Sequence, residues 1–86
     1  MYTLYILISQ STKRYYVGQT SNLKKRIKYH LSGYTSFGKR NKDIELVFNK
    51  VYDTRSKAVK AERFIKKQKS HSFIQDLIAG KISVPL

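Results

Sequence analysis

The 86-residue chain contains no cysteine, so neither disulfide bonds nor a thiolate metal site can hold its fold together. This absence fits a reducing compartment, and we expect a cytoplasmic protein. Its apolar runs are short, and a run such as residues 4–8 is far below the roughly 20 residues that a membrane-spanning helix needs. The N-terminus enters a strand-like pattern directly, so we expect no leader peptide and no membrane partner.

Acidic residues are also scarce. Five Asp and Glu stand against 18 Lys and Arg, which gives a formal net charge of +13 at pH 7. A surface this positive attracts polyanions. Nucleic acid is the leading candidate partner, an anionic membrane surface is the second, and a generic basic protein of the ribosome-associated kind also fits the charge.

The apolar content is sufficient for one small core. Hydrophobic residues make up 41% of the sequence, which is typical of a folded protein and too many for a disordered tail. A chain of 86 residues has no room for a second globular unit. We therefore expect a single domain over residues 1–80 and a short C-terminal tail over residues 81–86.

Three strands are predicted where aromatic and β-branched residues concentrate. The first two form a hairpin, and Gly18 near the end of the second allows a close approach of backbone or ligand. The predicted strands cover Tyr2–Ser9, residues 14–19 and Ile44–Tyr52.

Three helices complete the pattern, and capping residues mark where each begins and ends. Leu23, Ile27 and Leu31 recur every four residues and predict the buried stripe of the first helix. The order β-β-α-β-α-α predicts an α+β domain, a small three-stranded antiparallel sheet flanked by helices. The predicted caps are Thr20 or Ser21, Thr54 and Ser70, and the predicted stops are Gly33 and Gly80.

Two tyrosines and two basic residues are candidates for chemistry. Tyr5 and Tyr16 lie on paired strands, so both phenols can face one place and position or relay protons. Arg26 and His30 are one helical turn apart, and they can hold a phosphate and transfer a proton, respectively. Taken singly, each of these residues also has an ordinary explanation. Tyrosine is common in strands, and Arg26 and His30 can belong to a basic helix face that only contacts solvent.

Glu62 is the most informative of the few acids. It lies beside Ala61 on or near the apolar face of its helix, where an isolated carboxylate is costly. Such a group is either ion-paired, here most simply with Lys66, or bound to a metal that keeps most of its waters. One carboxylate would suit Mg²⁺ or Mn²⁺ bridging to a substrate phosphate.

Basic side chains scattered along the chain are candidates for contacts with a nucleic-acid backbone. Tyr34 and Phe37 are candidates for stacking on an unpaired base. The candidate phosphate contacts are Lys13, Arg14, Lys25, Lys39, Arg40, Lys42, Lys66, Lys67 and Lys69.

Together these segments resemble the GIY-YIG nuclease domain, and more narrowly its small stand-alone bacterial members. The two namesake motifs fall on residues 3–5 in TLYIL and residues 16–18 in YYVGQT. The segment SNLKKRIKYH resembles the arginine helix of the family, and TRSKAVKAERFIKKQKS resembles the helix that bears its glutamate. The first motif reads Thr-Leu-Tyr instead of Gly-Ile-Tyr, and His71 stands where we expect a more basic residue.

The resemblance implies a metal-dependent hydrolase of DNA phosphodiester bonds, with Mg²⁺ or Mn²⁺ as cofactor. Tyr5 would then be the general base, helped by His30, and Tyr16 would position water. Arg26 would bind the scissile phosphate, and Glu62 would hold the cation that stabilises the leaving 3′ oxygen.

The alternatives are a non-catalytic nucleic-acid-binding module on the same fold and a basic protein of membrane surfaces or ribosomes. The joint presence of five candidate catalytic residues favours the nuclease. Because the chain carries no separate DNA-binding domain, we expect low sequence specificity, structure selectivity or a protein partner that supplies specificity. The sequence leaves open the kind of DNA, the choice between DNA and RNA, the pathway and the oligomeric state.

Overall fold

The computed structural model describes residues 1–33 and 43–84. The described residues form three strands and three helices in the predicted order β-β-α-β-α-α, which confirms the α+β fold. The strands are β1 (Tyr2–Ser9), β2 (Tyr15–Thr20) and β3 (Ile44–Tyr52). The helices are α1 (Leu23–Leu31), α2 (Arg55–Gln68) and α3 (His71–Ile78).

The sheet is antiparallel with the order β2-β1-β3, so β1 is the central strand. Leu4, Tyr5, Ile6 and Leu7 of β1 are all at most 1% exposed. Because successive side chains of a strand point to opposite faces, burial of all four means that both faces of the sheet are covered. The strand therefore carries a different set of contacts on each side.

One face of the sheet packs against α2 and α3 and forms the hydrophobic core. Leu4 and Ile6 of β1 lie in this core together with Val17 of β2. Ala58 and Ala61 of α2 are fully buried, and their small side chains let the helix lie close to the sheet. Further core residues are Ile65, Ile74, Leu77 and Val84, the last of which lies in the predicted C-terminal tail.

The start of α1 differs from the prediction. Asn22, and neither Thr20 nor Ser21, is the N-cap, since its side chain accepts a hydrogen bond from the backbone N–H of Lys25 at 3.1 Å. Thr20 is still the last residue of β2, and its hydroxyl accepts a hydrogen bond from the N–H of Asn22 at 3.1 Å. The strand runs one residue further than predicted, and this displaces the cap.

The other predicted helix boundaries are confirmed. Thr54 and Ser70 cap α2 and α3, each accepting a hydrogen bond from a backbone N–H three residues later. Gly33 and Gly80, with φ of 77° at each, follow the C-caps of α1 and α3 in the left-handed conformation. Lys69 occupies the same conformation after α2 with φ of 48°, where glycine is the usual residue.

Within the described residues, no helix is long and apolar enough to cross a membrane. The basic loop with Lys39, Arg40 and Lys42, and the stacking candidates Tyr34 and Phe37, lie outside the described residues.

Candidate active site

The β1–β2 pairing positions Tyr5 at the centre of the site. Tyr5 lies opposite Gly18, and its ring crosses that glycine so closely that a Cβ at position 18 would lie 2.7 Å from the phenol oxygen. No side chain larger than hydrogen fits there without a shift. The space at Gly18, expected to admit backbone or a ligand, is instead taken by the side chain of Tyr5, which is itself 1% exposed.

Helix α1 packs against this second face of the sheet through His30. The Nε2 atom of His30 lies 3.1 Å from the hydroxyl of Tyr5, and His30 is fully buried. The predicted stripe is wrong at its last position, because Leu31 is 53% exposed. The helix turns its C-terminal half so that a histidine, and not a leucine, faces the sheet.

Tyr16 completes an aromatic group with Tyr5 and His30. It pairs with Leu7, two positions along the sheet from the Tyr5–Gly18 pair, so Tyr5 and Tyr16 project from the same face. The ring centroid of Tyr16 lies 4.7 Å from that of His30 in an edge-to-face arrangement and 6.2 Å from that of Tyr5. The predicted convergence of the two tyrosines is therefore present.

Two charged groups act on this aromatic group. Burial raises the pKa of Tyr5 well above its usual range, with further raising by Tyr16 and Glu62 and an opposing effect of the Arg26 guanidinium. Burial, and then the positive charge of Arg26, lowers the pKa of His30. At neutral pH the phenol therefore keeps its proton and the imidazole is neutral, so Nε2 can accept a hydrogen bond from the phenol.

Glu62 projects from α2 with its side chain 20% exposed. The Nζ atom of Lys66, one turn along the helix, donates a hydrogen bond to its carboxylate at 2.6 Å. The ion pair considered from the sequence is thus present, beside the electrostatic coupling of Glu62 to Tyr5. The carboxylate therefore binds Lys66, and its charge also contributes to the raised pKa of Tyr5.

The donor set limits the kind of metal that could bind. Among the described residues no group of three His, Asp or Glu side chains is arranged to hold a metal ion. A hard divalent cation such as Mg²⁺, which keeps several waters and takes one or two carboxylates plus substrate phosphates, fits a single carboxylate at Glu62. A tetrahedral zinc site, which needs three or four protein ligands, does not fit these residues.

Two surface cavities each share one member with the site. The first has a volume of about 530 Å³, lies at the start of α1, and is lined by polar and basic side chains that include Lys25 and Arg26. The second has a volume of about 510 Å³, lies between β2 and the junction of α2 and α3, and includes Tyr16 and Lys66. Both cavities are basic, as the predicted phosphate contacts require.

The remaining predicted phosphate contacts are distributed unevenly. Lys66 and Lys69 line the second cavity, whereas Lys13, Arg14 and Lys67 are exposed and line neither. Sequence reasoning missed Tyr15, Ser70 and His71 in the second cavity and Tyr29 in the first. Only the packing of α3 beside β2 brings the first three together, and no spacing in the sequence signals it.

Comparison with known families identifies the chain. The family model of the GIY-YIG catalytic domain matches residues 1–74, which is most of the 86-residue chain. A search of curated proteins and a search of solved structures each found no significant match. The aromatic group, the arginine helix and the glutamate helix all lie within the matched residues. The chain therefore belongs to the GIY-YIG family of nuclease-type catalytic domains.

Proposed function

We propose that this protein is a divalent-metal-dependent endonuclease that hydrolyses DNA phosphodiester bonds with low sequence specificity. The observation that supports the proposal most directly is the buried contact of 3.1 Å between the hydroxyl of Tyr5 and Nε2 of His30. A phenol held against a neutral imidazole can pass a proton to Nε2, which the binding of a polyanion alone does not require. A hydrolase needs such a pair to move a proton away from water.

The proton path follows from the two pKa directions. A phenol whose pKa is raised is a poor base by itself, because it already carries its proton at neutral pH. His30, whose pKa is lowered, offers a neutral Nε2 that can take this proton. Water gives a proton to the oxygen of Tyr5 as Tyr5 gives its own to His30. The hydroxide oxygen then bonds to phosphorus and the bond to the 3′ oxygen breaks. The 3′ oxygen takes a proton from solvent, and His30 returns its own proton to solvent.

The phosphate is held from the side of α1. Arg26 lines the first cavity and lies one helical turn from His30, so its guanidinium can hold a phosphate there. Its planar donors can hold two phosphate oxygens and offset the charge that grows on them in the transition state. Lys25 lines the same cavity and adds a second positive charge for the neighbouring backbone. Tyr16 limits where the water can sit.

Glu62 is the residue that would hold the divalent cation. When bound, the cation would stabilise the negative charge on the leaving 3′ oxygen. Lys66 binds Oε2 of this carboxylate, so the lysine and a cation would compete for the same negative charge. Exposed pairs spaced four residues apart on a helix contribute only about 0.3–0.5 kcal/mol, so displacement of the lysine costs little.

The second candidate function is nucleic-acid binding without cleavage. One observation favours it, namely that Lys66 already satisfies the carboxylate of Glu62. In that case the aromatic group of Tyr5, Tyr16 and His30 would be retained from the family without catalysing a reaction. The protein would bind nucleic acid through its two basic cavities.

The test compares cleavage and binding in matched variants. Nicking of supercoiled plasmid with Mg²⁺, Mn²⁺ or EDTA is measured for the wild type, Tyr5→Phe and Glu62→Ala, with DNA binding measured in parallel. Loss of general-base action should reduce the rate by about 10²- to 10⁴-fold in Tyr5→Phe. The control for this change is Tyr52→Phe, since the hydroxyl of Tyr52 is buried on the opposite face without a hydrogen-bond partner among the described residues.

Metal-dependent nicking that disappears in Tyr5→Phe and Glu62→Ala, but persists in Tyr52→Phe, would establish the proposal. Binding with no nicking in the wild type, under every metal condition, would instead favour the non-catalytic function.

A further inference from the structure

The second cavity, here called the aromatic groove, is defined by Tyr15, Tyr16, Lys66, Lys69, Ser70 and His71. Its volume of about 510 Å³ lies within the range of about 300–1,000 Å³ that is usual for small-molecule sites. It joins the candidate active site at two points, because Tyr16 contacts His30 and Lys66 pairs with Glu62. A strand that passes through the active site can therefore continue into the groove.

The walls of the groove carry rings on which a base can stack. Tyr15 and His71 meet edge to face with their centroids 5.3 Å apart, and His71 is exposed as the first residue of α3. Aromatic side chains beside a basic channel are the usual means by which proteins bind unpaired bases without reading sequence. A paired base inside a duplex presents its edges and not its faces, so it cannot use such a wall.

The charges of the groove match a phosphate backbone. Lys66 and Lys69 line it, and among the described residues no carboxylate does. Lys69 holds the left-handed conformation, which costs a non-glycine residue about 1–2 kcal/mol. Glycine would end α2 without this strain. The lysine at this position therefore supplies a charge to the groove at some cost to the fold.

We propose that the aromatic groove binds an unpaired nucleotide of the DNA strand that is cut, with its base against His71 and Tyr15 and its phosphate near Lys66 and Lys69. This inference rests on the proposed function, because it takes the strand in the active site to be DNA. The substrate class is accordingly DNA with a single-stranded segment beside the scissile bond, such as a flap or a branch.

The test measures binding in EDTA, so that it does not depend on cleavage. Fluorescence anisotropy is recorded with an oligothymidine of about eight nucleotides, with a duplex carrying the same number of phosphates, and with an RNA strand of matched length. We expect tighter binding of the single DNA strand than of the duplex. His71→Ala, an exposed change, should weaken single-strand binding by about 5-fold or more and leave duplex binding unchanged.

Lys69→Gly separates binding from folding. It should leave the melting temperature unchanged or raise it, because it removes the left-handed strain, and yet it should weaken single-strand binding. The magnitude of the slope of the log binding constant against log salt concentration should fall by about 0.7, because one phosphate contact is lost. Lys81→Gly is the charge-matched control, since Lys81 is exposed, carries the same charge, lines no part of the groove and is not a candidate phosphate contact.

Equal effects of Lys69→Gly and Lys81→Gly, equal binding of single strand and duplex, or tighter binding of RNA would each overturn the inference. If the wild type nicks plasmid but fails these binding tests, the proposal about the aromatic groove is wrong and the proposed nuclease function stands. A wild type that passes them but never cuts would overturn the proposed nuclease instead, leaving the groove as the site of a binding module.

Discussion

Gly18→Ala tests whether the position of Tyr5 controls the chemistry. The added Cβ would lie 2.7 Å from the phenol oxygen and 2.8 Å from Cζ, whereas ordinary contacts begin at 3.4 Å. Tyr5 or the backbone of β2 must therefore move by about 0.7 Å. Because the hydrogen bond to His30 is already 3.1 Å long, a movement of this size is enough to break it.

The expected result is a folded protein with little activity. Overpacking of a buried site costs about 1–3 kcal/mol of unfolding free energy. A misplacement of about 1 Å can cost on the order of 10²-fold in rate. Plasmid nicking per folded molecule should therefore fall by roughly that factor, with the folded fraction taken from urea unfolding.

Gly80→Ala is the matched control for this change. Gly80 has a positive φ of 77° and no atom within 4 Å of an added Cβ, so alanine there introduces strain but no contact. It should cost about 1–2 kcal/mol in stability and leave the rate of the folded molecules unchanged. If Gly18→Ala cuts as fast as Gly80→Ala when both are folded, the reasoning about Tyr5 is wrong.

Three further predictions concern the cap, the histidine and the ion pair. Asn22→Ala should lower the unfolding free energy by about 1 kcal/mol in urea titrations, and Ser21→Ala should not, because only Asn22 caps α1. His30 has a lowered pKa, so below about pH 6.5 the unfolded state takes up its proton first and stability falls with falling pH. His30→Gln should remove the part of the stability loss that His30 causes between about pH 7 and about pH 5. If the variant loses as much stability as the wild type over this range, the prediction is wrong. Lys66→Met should lower the Mg²⁺ concentration for half-maximal nicking by about 2-fold, since the pair with Glu62 is weak, and a raised requirement would show that the lysine assists cleavage.

The sequence predicted most of the fold because its signals are local. The concentration of aromatic and β-branched residues located β1 and β3, and Thr54 and Ser70 located the starts of α2 and α3. The cap of α1 was predicted wrongly because Thr20, Ser21 and Asn22 are all good capping residues. Which of the three caps α1 depends only on where β2 ends.

The sequence predicted which residues form the candidate site, but not how they are arranged in space. Tyr5 and Tyr16 were placed on one face by the hairpin, which is a local feature. The burial of His30 in place of Leu31, and the approach of Tyr5 to Gly18, depend on how α1 rotates against the sheet. The aromatic groove depends on contacts between segments roughly 55 residues apart in the chain, namely Tyr15 and His71, and local patterns do not record such contacts.

The buried alanines of α2 determine where the candidate metal-binding carboxylate, Glu62, lies relative to the sheet. Ala58 and Ala61 set how closely the helix lies on one face of the sheet, and Glu62 is rigidly joined to that helix. A larger residue at either position would lift the helix and draw the carboxylate away from Tyr5. A laboratory selection for cleavage should therefore deplete larger residues at these two positions, although both side chains are completely buried.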